Sequence, residues 1–125
     1  MTGQEALEQA LRLLHYTDQD GQPESRFRED SRHQGLAAVN QVVADLWAVE
    51  QEQPFVPLDR LDDTVALSDR ACREVLPIGV AMWIAQAEGD SAQQAVLAAA
   101  YSQKRGQCGA PSRRRQDVIP WGESA

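Results

Sequence analysis

VLPIGVAMWIAQA, residues 75–87, holds a single side-chain amide, Gln86, and no charge. Wound into a helix, such a run is apolar on every side, so it belongs among neighbouring elements rather than with one face in water. It is too short to cross a bilayer, which takes about 20 apolar residues. Arg73 and Glu74 bound it on one side and Glu88, Gly89 and Asp90 on the other. The expectation is a helical bundle with this segment as its central member. Pro77 lacks a backbone donor and should kink or split the helix. Gly79, one turn on from Val75, offers another backbone a close approach, while Trp83 and Ile84 are expected in the core.

Reading outward, Ser68 is a good N-cap, and Asp69 in the first turn favours the helix dipole. Gly89 supplies the C-terminal stop. Asp90 then opens a further helix, with Gln93 in the partner position of a capping box. Ala92, Ala95, Val96 and Ala99 make a narrow small-residue face suited to close packing, and Leu97 and Tyr101 a bulkier one. Gly106 is expected to end that helix.

Upstream, residues 50–67 (EQEQPFVPLDRLDDTVAL) show no helical period. Pro54 and Pro57 hold the stretch extended, and Phe55, Val56, Leu58 and Leu61 give it something to bury. An ordered crossover lying on the bundle is expected, with a short strand near 64–67. Asp59, Asp62 and Asp63 read as solvated turn residues. Before it, Leu36, Val39, Val43, Leu46 and Trp47 form a helical stripe, with Gln34, Gln41 and Asp45 facing away. Asn40 falls beside that stripe, where an amide needs a structural hydrogen bond to neighbouring backbone. At the start of the chain, Thr2 and Glu5 match a capping box, and Leu7, Ala10, Leu11 and Leu14 follow at helical spacing.

The sequence thus predicts an all-α bundle of four helices near 4–15, 29–50, 68–88 and 90–105, with the long crossover and an extended C-terminal tail. Residues 1–106 form the helical domain and 107–125 the tail. Leu36, Val43, Leu46, Val75, Leu76, Val80, Trp83, Ile84 and Val96 are the expected core.

Charge is unevenly spread over the 125 residues, whose formal net charge is −7. Residues 1–103 hold 7 basic and 17 acidic side chains, a balance of −10, and residues 104–125 hold 5 basic and 2 acidic, a balance of +3. An acidic body opposes non-specific binding to phosphate backbones. The tail carries Arg113, Arg114 and Arg115 beside Val118, Ile119 and Trp121. Arginine and tryptophan are enriched at binding hot spots, so these six residues are expected to dock on a protein surface.

Motifs for chemistry are missing from the chain. It contains no GxGxxG, no GxxxxGK[ST] and no HExxH. Cys72 and Cys108 lie far apart with no CxxC neighbour, which suits a core and a tail residue better than a disulfide or zinc site. An EF-hand register on Gly21 would place Tyr16 at the first ligand position and Phe27 at the closing glutamate, so the loop around Asp18 and Asp20 reads as solvated. His15 and His33 lack partners at metal-ligand spacing. No catalytic, cofactor or metal residue is expected, and the chain is read as a non-enzyme. The opening MTGQEALEQ is polar and acidic, unlike a signal peptide, so synthesis in the cytosol is expected.

Taken in order, the helix with LAAVNQVVADLW, the Pro-containing stretch, ALSDRACREVLPIGVAMWIAQAEGD and QQAVLAAAYSQKR resemble the small head–tail connector (adaptor) proteins of long-tailed bacteriophages. The likeness covers residues 4–105 and rests on Asn40 in the second helix, the Leu76–Pro77 pair and the AAYSQKR end. The Arg-rich, Trp-containing tail has no counterpart in it. The resemblance implies a helical bundle assembling as a ring, usually a dodecamer, below the portal in the virion neck, after synthesis in the host cytoplasm. It implies contacts to the portal protein and to a stopper or tail-completion protein, with DNA passing through without sequence-specific binding and no membrane partner. The alternative of a different class is a small bacterial helical interaction module, an adaptor or regulator without enzymatic activity.

Overall fold

The computed structural model describes residues 1–17, 19–20, 22, 32–51 and 53–108, the side chains of Arg32 and His33 excepted. The tail residues Arg113, Arg114, Arg115, Val118, Ile119 and Trp121 lie outside the described residues, as do Asp18, Gly21 and Phe27. The described residues form four α-helices: α1 (Gly3–Leu13), α2 (Arg32–Glu50), α3 (Leu76–Ala87) and α4 (Ser91–Gln107). The expected strand near 64–67 is instead an isolated antiparallel bridge between Thr2 and Thr64.

α3 is the hub. It packs against α4, α1 and α2, and its Leu76, Val80, Ala81 and Ala85 are fully buried. With Leu11 and Leu14 of the α1 segment and Val39, Val42 and Leu46 of α2 they form one continuous core. Pro77 sits buried in the first turn of α3. Its ring would collide with a carbonyl one turn back in a regular helix. The chain answers with a π-helical turn over Ala71–Val75, in which the Leu76 amide bonds the Ala71 carbonyl. The extra residue widens the turn and re-aims the helix after it. Before it, the Ser68 hydroxyl accepts from the Ala71 amide at 3.1 Å.

Helix ends are closed by local chemistry. At α1, the Thr2 hydroxyl accepts from the Glu5 amide and the Glu5 carboxylate from the Thr2 amide. The two other open donors, on Gly3 and Gln4, reach the carbonyls of Asp63 and Leu61 in the crossover. α1 and α3 both finish in Schellman motifs. Tyr16 and His15 bond back to Leu11 and Arg12, and Asp90 and Gly89 to Ala85 and Gln86. The left-handed position is filled by Gly89 (φ 73°) in one and by His15 (φ 63°) in the other. A glycine takes that conformation freely, whereas a side chain there costs about 1–2 kcal/mol.

Three expectations need correction. Val96 is 70% exposed, and Ala92, Ala95 and Ala99 do not join the core either. Leu97 and the buried Tyr101 turn inward because larger side chains fill more of the space between α3 and α4. Trp83 is 38% exposed, and Leu36 and Ile84 are only half-buried. Gly106 does not end α4, which runs on to Gln107, and the Cys108 thiol closes against the core. A lone glycine weakens a helix without stopping it. The described bundle therefore continues past Gly106 to Cys108.

Candidate functional site

The crossover between α2 and the π-helical turn is tied to the bundle along its length. Trp47 donates its indole N–H to the Gln53 carbonyl at 2.7 Å, and Phe55 sets its ring against Trp47 edge-on at 6.0 Å. Asn40 donates to the Leu58 carbonyl at 3.0 Å and accepts from the Leu58 amide at 2.8 Å. The Asp63 carboxylate caps the amides of Asp59 and Arg60, each at 3.1 Å. Glu50 then receives the Ser68 amide and hydroxyl. The loop climbs from the end of α2 toward Asn40 and returns to Glu50, a compact form whose ends meet. Asp59 and Asp63 are thereby turn-forming groups, and Asp62 forms an exposed ion pair with Arg60.

Polar contacts fasten α4 at both ends. Asp45, expected to face away from the bundle, accepts from the Tyr101 hydroxyl and the Arg105 guanidinium, each at 2.6 Å. Partial burial pushes the Asp45 carboxyl up, but those two bonds outweigh it and hold the carboxyl below its usual range. Burial, reinforced by the Asp45 carboxylate, drives the Tyr101 phenol far above its ordinary value. At the other end Asp90 caps Gln93, whose side-chain amide reaches the Asp90 carboxylate and the Leu14 carbonyl rather than the Asp90 backbone. Tyr16 donates to the same carboxylate at 3.0 Å. The bonds from Gln93 and then Tyr16 lower the Asp90 carboxyl. Sequence reasoning missed the Asp45 cluster, although Tyr101 and Arg105 one helical turn apart were a visible signal.

At Gly79 neighbouring elements press close on α3. A methyl group there would lie 2.6 Å from the Tyr101 ring and 2.6 Å from Val42. The neighbours that need the space are thus side chains of α4 and α2, not another backbone.

An apolar groove lies between α1, the first half of α2 and the last turns of α3. Leu7 and Leu11 form one wall, Gly35, Ala37 and Ala38 the second, and Trp83, Ile84 and Ala87 the third. Gln34, Gln41 and Glu88 stand at its rim, and its volume is about 370 Å³. The groove exists because α2 presents small residues opposite a tryptophan. Gly35 itself is pressed onto Leu7, where a methyl group would meet a Leu7 carbon at 2.7 Å. Of the four structural positions singled out in the sequence (Asn40, Pro77, Gly79 and Trp83), Trp83 is the one that lies in this groove.

Burial raises both thiols, Cys72 and Cys108, away from the reactive thiolate form. Among the described residues no three His, Cys, Asp or Glu side chains gather to hold a metal. No described helix is long and apolar enough to cross a membrane. No family model matches the chain, and no curated protein or solved structure does either.

Proposed function

We propose that this chain is a structural connector: copies assemble side by side as a ring, as the resemblance to phage head–tail adaptors implies, and join a portal to a stopper or tail protein. The observation that carries this reading is the apolar surface a small body leaves uncovered. Trp83, 38% exposed, opens into a groove walled by apolar side chains of α1, α2 and α3. A concave apolar surface of this kind suits a protein partner. A ring gives every copy two neighbours and so covers two different faces. The acidic body fits a channel through which DNA slides without sticking, since like charge repels the phosphate backbone. Localisation in the virion neck follows from the same reading.

Light scattering on the purified chain, alone and mixed with portal protein encoded beside it, tests this. The expected result is a complex holding many copies of the chain per portal ring. A single copy that never joins a portal would overturn the connector reading and leave the monomeric interaction module.

A further inference from the structure

We infer that the apolar groove of one copy receives Val118, Ile119 and Trp121 from the tail of a neighbouring copy. This rests on the ring reading in that it needs copies to adjoin. Three observations lead to it.

The groove is apolar on three walls, and Trp83 remains 38% exposed within it. Its volume of about 370 Å³ lies at the lower end of the range for binding pockets and suits a few large side chains. Seventeen residues follow Cys108, and their apolar trio comes shortly after a run of three arginines. Residues 104–125 carry +3 and residues 1–103 carry −10, with Glu88 at the groove's rim, so tail and body attract.

Position then decides whose tail it is. The groove lies where α2 begins and α3 ends. The end of α4 lies at the opposite end of the bundle, where Arg105 reaches Asp45 in the second half of α2 and α4 packs against the π-helical turn. The ten steps from Cys108 to Val118 span at most about 36 Å when fully extended. Returning to its own groove would hold most of that length taut along the bundle, because α4 alone, at 17 residues, is about 26 Å long. A neighbour placed head to tail presents its groove beside the point where the tail leaves. Such a contact pairs two different surfaces, the type that closes into a ring.

The test uses full-length chains, half of them labelled with ¹⁵N, mixed at the highest concentration the protein tolerates. A benzophenone amino acid replaces Ala87, which is exposed and lines the groove. After irradiation, mass spectrometry should find position 87 joined to residues 116–125, with about half the pairs of mixed isotope. Trp121→Ala, which alters no residue of the bundle, should cut the yield at least tenfold. Ala37→Trp, filling the groove from an exposed position, should do the same with its helical circular dichroism unchanged. Gln103→Trp, exposed on α4 and outside the groove, should leave the yield as it was. Pairs of a single isotope would assign the groove to the chain's own tail and overturn the inference. Cross-links to other segments, or none, would overturn it as well. Portal-bound rings without these cross-links would sink the groove contact and leave the connector reading standing, whereas a chain that joins no portal would sink that reading too.

Discussion

Asn40 commits both ends of its amide to the backbone of Leu58, pinning the middle of the crossover to α2. Replacing it by alanine leaves a part-buried N–H and C=O without those partners. We expect Asn40→Ala to cost about 1–3 kcal/mol in denaturant unfolding, and to speed proteolytic cutting within residues 53–63. Asp45 sets a pH dependence. Its carboxyl is held below its usual value in the folded chain, so its contribution is present above about pH 4 and fades as pH falls through the folded value. Tyr101 is raised, so its contribution is intact below about pH 10 and lost as pH climbs past that. Asp45→Asn should therefore lower Tm at neutral pH, and the gap to the parent chain should narrow on acidification below about pH 4. A gap that stays constant with pH would show that the carboxylate's charge contributes nothing.

At the scale of elements, the division of labour lies between α3 and α4. α3 is enclosed, and Leu76 at its start is fully buried beside the π-helical turn. α4 lies across it with Tyr101 inward and Val96 outward. Leu76→Ala should cost about 2–5 kcal/mol, the range for emptying a well-packed site. Val96→Ala should change stability by less than about 0.5 kcal/mol, as an exposed substitution does. Equal losses at the two positions, measured by denaturant unfolding, would contradict this assignment of faces. Ile84 falls between them, because one side of it packs on the core and the other lines the groove.

For the molecule as a whole, the described bundle extends to Cys108, and the proposed docking residues follow it in sequence. Truncation after Cys108 should leave the thermal transition nearly unchanged, since every core residue among those described is retained. The same truncation should abolish joining of copies and of the portal, read by light scattering. Raising salt should weaken assembly of the full chain as well, because the basic run and acidic body attract through solvent and are screened within about 10 Å at 0.1 M. A truncated chain that assembles as the full one does would make the tail a passive terminus.

The sequence by itself determined the number of helices, their approximate spans and the identity of the central one. Those features rest on short-range signals: Thr2 with Glu5, Ser68, Gly89 and Asp90 at helix ends, and an uncharged run that has to be enclosed. It also showed that Asn40 needed a backbone partner, although Leu58 could not be named from it. What only the tertiary structure decided was which face each helix turns inward. On α4 alanines lie on more than one face, so periodicity was equivocal, and the side chains of Leu97 and Tyr101 settled it by filling the space against α3. Asp45 looked like a solvent residue until Tyr101 and Arg105 arrived from a helix more than 50 positions away. Trp83 read as core for the same reason: its exposure depends on the small residues of α2 that stand opposite, and burial belongs to the pair of surfaces that meet.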